Sequence, residues 1–144
     1  MDKITNIRDE IYTLIIATAA FSSSNTFKGR YEGKAIESAD LPTASIYFDS
    51  LSQEPVSIGT NRTFEGEADF TIVINSKGTG YDNTDESLDA YCEQIRGQLT
   101  DRTLSGTTLD AYMTSIEYNF NNVGESLLGS ATISIKAIYT IKET

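Results

Sequence analysis

From Ala131 to Ile141 the apolar residues fall on alternate positions: Ala131, Ile133, Ile135, Ala137, Tyr139 and Ile141. Thr132, Ser134, Lys136 and Thr140 take the other parity, with Ile138 the one apolar intruder. Strand side chains point alternately to two faces, so this pattern predicts a long strand with one buried and one wetter face. Residues 62–75 give a second long strand, with Phe64, Gly66, Ala68, Phe70, Ile72 and Ile74 on one parity and a glycine that hints at a bulge or close approach. Residues 111–121 give a third, with Tyr112, Thr114, Ile116, Tyr118 and Phe120 on one face. Asn121-Asn122-Val123-Gly124 then reads as the turn of an antiparallel hairpin leading into the last strand.

Two segments carry the helical period instead. Ile4, Ile7, Ile11, Leu14, Ile15 and Thr18 recur at three and four, predicting an amphipathic helix over 3–20 capped by Asp2. Leu88, Tyr91, Cys92, Ile95 and Leu99 form one stripe of a second helix, with Asn83 followed by Glu86, or Asp85 alone, as the N-cap signal. Ala44–Phe48, after Pro42, predicts a short strand, and Asp49–Thr60 a connecting loop. Residues 22–42, with Phe27, Tyr31 and Ile36 among glycines and lysines, read as a loop or short irregular hairpin. The expected fold is α/β in the α+β sense: a mainly antiparallel four-stranded sheet, two helices packed on one face, and long connecting loops. Residues 1–144 are expected to form one domain, long enough to bury about two thirds of the unfolded surface.

Composition narrows the chemistry. The chain has no histidine, which excludes Ser-His-Asp and Cys-His nucleophilic machinery and histidine-based zinc sites. Cys92 is the lone cysteine, so no internal disulfide or CxxC motif exists, and a buried structural thiol in an intracellular chain is expected. No apolar run approaches the ~20 residues that span a bilayer. Asp9 and Glu10 precede the apolar 11–20 stretch, which argues against a signal peptide. The formal charge is −10, from 21 acidic and 11 basic residues, and such a surface repels phosphate backbones. The charge suits solubility, or a conduit through which DNA slides without sticking.

Local motifs do not assemble into a catalytic set. Gly78-Thr79-Gly80 sits between strand and helix as a dinucleotide loop would, but Asn83 occupies the third glycine position. Asp82, Asp85, Glu86 and Asp89 miss the calcium-loop pattern and read as acids favouring a helix N-terminus. Glu65, Glu67 and Asp69 lie on alternate positions of one strand, as a solvated face does, and no tryptophan supplies a sugar platform. Asn61-Arg62-Thr63 matches a glycosylation sequon that an intracellular chain does not use.

Three segments resemble the tail terminator (minor tail protein U-like) family of long-tailed bacteriophages. They are Leu41-Pro42-Thr43-Ala44-Ser45-Ile46-Tyr47-Phe48, the arginine-led stretch Asn61–Ile72, and Leu128-Gly129-Ser130-Ala131 within Gly124–Ile133. With the two helices the resemblance covers most of the chain, weakest over 22–40. It implies a subunit without catalytic residues, cofactor or metal that closes into a ring, usually a hexamer. The ring would sit on the last layer of tail tube protein, stop tube growth and present a surface to the head-tail connector or neck protein. DNA would pass through without specific binding. The implied location is the head-proximal end of the virion tail, after synthesis in the bacterial cytoplasm. Phe27, Tyr31, Arg62 and Phe64 are the expected contacts with neighbouring subunits or the tube, chosen from loops and exposed aromatics. Six copies would carry 6 × −10 = −60 charges, so ring formation should respond to ionic strength or divalent cations. The competing readings are another tail or neck component and, from a different class, a small acidic hydrolase or ligand-binding domain.

Overall fold

The computed structural model describes residues 2–18, 21, 26–29, 42–55, 59, 63–78, 81–100, 110–123 and 126–142. The elements are α1 (Asp2–Ile16), β1 (Thr26–Lys28), β2 (Thr43–Pro55), β3 (Thr63–Gly78), α2 (Tyr81–Thr100), β4 (Asp110–Val123) and β5 (Ser126–Lys142). The five strands form one sheet in the order β1-β2-β3-β5-β4. β2, β3, β5 and β4 are antiparallel to their neighbours, and only β1 runs parallel to its partner β2. The α+β, mainly antiparallel architecture read from the sequence holds; the fifth strand makes the sheet mixed.

The inner pair β3 and β5 keeps a strict alternation along its whole length. Ala68, Phe70, Ile72 and Ile74 of β3 meet Ala137, Ile135, Ile133 and Ala131 of β5 across the ladder. All eight are essentially fully buried. Each large apolar side chain taken out of water here contributes about 1.5–3 kcal/mol before chain entropy is charged against it. The same face receives both helices. Ile4, Ile7, Ile11, Leu14 and Ile15 of α1 and Leu88, Cys92 and Ile95 of α2 join those strand residues in one core. Phe21, just beyond α1, stands edge-on to Tyr91 of α2 at 5.5 Å and links the two helices.

Gly129 sets how closely α2 lies on the sheet. A Cβ there would stand 2.5 Å from Thr84 Cγ2, 3.1 Å from Leu88 Cδ1 and 3.2 Å from Phe120 Cε1. Gly66 serves Tyr139 in the same way: the phenol ring crosses where its side chain would be, at 2.5–2.8 Å from an added Cβ. Both glycines are therefore packing requirements, with no special backbone angle involved.

Several boundaries differ from the sequence reading. β2 continues to Pro55 through residues expected to be loop, because pairing with β3 extends to Pro55↔Phe64 although Ser52–Pro55 are exposed and leave no burial pattern. β1 lies in the stretch read as irregular, and three residues are too few to show a period. α1 ends at Ile16, and the Thr18 hydroxyl donates to the Ile15 carbonyl at 2.7 Å beyond it. α2 begins at Tyr81, so Asn83 and Asp85 lie inside its first turns and do not cap it. β4 runs on to Val123, paired with Ser126; the predicted turn residues Asn121–Val123 are thus strand, and 124–125 fall outside the described residues.

The two strands that flank the inner pair each carry one irregularity. In β2 the register shifts between Phe48 and Ser50, and in β4 between Met113 and Ser115. The β4 shift corrects the predicted single face. Met113 pairs with Ile135 on the core side, but after the extra residue Ile116 and Tyr118 take the core-side positions, opposite Ile133 and Ala131. Tyr112, opposite Lys136, is on the other face. A bulge inserts one residue and switches the parity of everything beyond it.

Candidate functional site

The face turned away from the helices is dominated by short polar side chains. Ser45, Thr71, Thr132 and Ser134 occupy it near the middle of the sheet, with Val73 among them. Towards the far end of β3 it becomes acidic, with Glu65, Glu67 and Asp69 on alternate positions. Two of these acids have ordinary partners: Lys136 Nζ stands 3.4 Å from Glu67 Oε2, and the Ser50 hydroxyl donates to Asp69 Oδ2 at 3.0 Å. The Glu67 carboxylate holds the Lys136 ammonium above its usual range, with Asp69 adding to the effect. An exposed pair of this kind contributes little stability. At the β2 bulge Asp49 accepts a hydrogen bond from the Thr71 hydroxyl, tying the extra residue to β3.

On the helix side a polar cluster ties α2 to β4. The Tyr118 hydroxyl donates to Asp89 Oδ1 at 2.6 Å and lies 4.0 Å from Cys92 Sγ. Burial and the bond to Asp89 push the Tyr118 phenol up, and burial pushes the Cys92 thiol up. A thiol raised in this way is a poor nucleophile. Of the acids expected around the start of α2, Asp89 thus holds β4, while Glu86 is exposed on the surface. Lys28 of β1 reaches Asp9 at 3.2 Å and lies over the Tyr12 ring at 5.1 Å, fastening β1 to α1. Among the described residues no three His, Cys, Asp or Glu side chains converge as metal ligands. No described helix is long and apolar enough to cross a membrane.

Of the four residues expected to make assembly contacts, Phe27 and Phe64 are described and Tyr31 and Arg62 are not. Phe27 sits in β1 opposite Ser45, and Phe64 sits near the start of β3 opposite Pro55; both are half-buried. Ser45 pairs with Val73, nine residues along β3 from Phe64. At the rise of an extended strand this places the two phenylalanines roughly 30 Å apart, so they do not share a patch.

The large apolar side chains that stand exposed among the described residues are Tyr112 at 42% and Ile116 at 37%, both on β4. β4 is a rim strand, and no described strand pairs with its outer side. The alternating pattern of β4 predicts a strand and leaves open which residues border solvent. Only the sheet order shows that it borders solvent.

No family model matches the sequence, and no curated protein matches it. Solved structures do. The chain is similar in fold to a chain of the "Virion of native gene transfer agent (GTA) particle", with a TM-score of 0.50 and 12% sequence identity. The match covers 92% of this chain and 94% of that one. At that identity the likeness concerns the fold.

Proposed function

We propose that this protein is a structural component of a phage-like virion, and within that class a tail terminator. It would cap the tail tube as a ring, end tube growth and offer the surface to which the head is joined. The observation that carries the proposal is the fold shared, over nearly the full length of both chains, with a component of a gene transfer agent virion. The sequence resemblance at Leu41–Phe48, Asn61–Ile72 and Leu128–Ala131 supports the finer role, and Thr43–Phe48, Thr63–Ile72 and Leu128–Ala131 lie in the adjacent strands β2, β3 and β5. The Tyr118–Asp89, Thr71–Asp49 and Lys28–Asp9 contacts hold elements together, as suits a molecule that works by shape. Phe27, Tyr31, Arg62 and Phe64 are proposed as contacts with neighbouring copies or the tube. The separation of Phe27 and Phe64 suits a ring, in which two unlike patches of each copy meet.

Deleting the gene in a particle-producing strain tests the role. Tubes of uncontrolled length that remain unattached to filled heads are expected by electron microscopy. Tails of normal length joined to heads would overturn the terminator reading.

A further inference from the structure

The two ends of β2 are held differently. At its start Ala44 and Ile46 are fully buried, and Phe48 stands edge-on to Phe70 at 5.7 Å. The register then shifts between Phe48 and Ser50, and beyond the shift only half-buried Leu51 still packs against the core. Ser52, Gln53, Glu54 and Pro55 are all exposed. At this level β3 keeps β5 as a second partner, from Asp69↔Lys136 to Thr63↔Lys142. Among the described strands β2 has only β3 there, because β1 pairs with Ala44–Ile46.

Charge works against that one ladder. Glu54 stands directly opposite Glu65, and Ser52 opposite Glu67, so three exposed carboxylates share one face over two successive pairs. Lys136 reaches Glu67 at 3.4 Å, whereas neither Glu54 nor Glu65 has an ion-pair partner among the described residues. On the β5 side Glu65 faces Thr140 and Glu67 faces Ile138, so neither finds a cation directly opposite. Ser52, Gln53, Glu54, Glu65 and Glu67 line a hollow open to the surface. Like charges directly opposite each other weaken a strand pair.

We propose that Ser52–Pro55 is a charge-gated flap: it lifts off β3 while the start of β2 stays paired, and repulsion between Glu54 and Glu65 sets how often. Opening it uncovers little apolar surface, which places it at the low-stability end of the molecule. The bulge at Asp49 interrupts the ladder between the anchored and unanchored parts of β2, and opening stops there. β3, clamped by β5, stays in place. Whatever neutralises Glu54 or Glu65 closes the flap. This is a property of the single chain and does not depend on the ring reading.

Hydrogen–deuterium exchange of the full chain, read by mass spectrometry with Ala44–Tyr47 as internal reference, tests it. In 0.05 M sodium chloride the Ser52–Glu54 amides are expected to exchange about a hundredfold or more faster than the reference. Glu54→Gln should slow them about two- to fivefold, and Glu54→Lys, which faces Glu65, should slow them further. Combining Glu54→Lys with Glu65→Lys sets two cations opposite each other and should bring fast exchange back. Raising salt to 0.5 M should slow the wild type more than Glu54→Gln, because screening acts on the repulsion that the variant has lost. The reference stretch should not respond to any of these changes. The flap is overturned if Ser52–Glu54 exchange as slowly as the reference, or if both single substitutions leave the rate unchanged. It is also overturned if the double variant stays as protected as Glu54→Lys, which would show that the sign of the facing charges does not matter.

Discussion

At the scale of single residues, two absent side chains carry much of the packing. Gly129 is where α2 touches β5, and the atoms an alanine methyl would meet belong to Thr84, Leu88 and Phe120 on two different elements. Gly129→Ala is expected to destabilise by about 1–3 kcal/mol, the usual cost of overfilling a packed site. Gly66→Ala should do the same, because the Tyr139 ring it would strike is fully buried and has nowhere to swing. Urea unfolding checks both; a midpoint unchanged in either variant would show that the sheet yields locally. These needs were only half visible in the sequence. The even spacing around Gly66 hinted at a close approach, but which side chain fills the space depends on the β3–β5 register.

At the scale of elements, α2 is tied to β4 by groups that prefer to stay protonated. Tyr118 and Cys92 are both raised above their ordinary values of 10.0 and 9.0, chiefly by burial. A raised folded-state value means the neutral form is favoured by folding. That contribution is complete below the unfolded value and is lost as pH climbs through the folded one. Thermal stability is therefore expected to fall from about pH 9 upward, and Tyr118→Phe should make the fall shallower. Melting curves between pH 8 and 11 decide it; parallel curves for the two proteins would rule Tyr118 out. The elements themselves were largely legible: both helices and the strands around Phe70, Tyr118 and Ile135 follow their periods. Ser52–Pro55 were not, because a strand exposed on both faces has no alternation to read, and β1 was too short. Tyr112 was assigned to the wrong face because an inserted residue is invisible in a chain whose polar and apolar residues both tolerate strands.

For the whole molecule, charge sets a constraint on the proposed ring. Copies carrying −10 each would have to overcome mutual repulsion, which acts over about 10 Å at 0.1 M salt and 3 Å at 1 M. Self-association is expected to strengthen several-fold from about 0.05 to 0.5 M sodium chloride, over which screening shortens that range. Identical sedimentation profiles across the series would show that the contacts lie far from the acidic surfaces. The absence of histidine and the single cysteine were legible at once, and they pointed away from common enzyme designs. The surface through which copies would meet in the proposed ring was not legible in the residue pattern. Phe27 and Phe64, picked as aromatics in or near loops, lie at distant places.

The register shifts in β2 and β4 have a consequence for how the chain tolerates changes of length. Removing Thr114 would leave Met113 and Ser115 adjacent and opposite Ile135 and Ser134, the partners they already have. Such a deletion is expected to fold, with a melting point within a few degrees of the parent. Removing Ser134 from β5, where every position is matched on both sides, would turn half the strand inside out and should abolish folding. Gains and losses of single residues would thus be absorbed at the borders of the sheet, while its centre keeps a constant count.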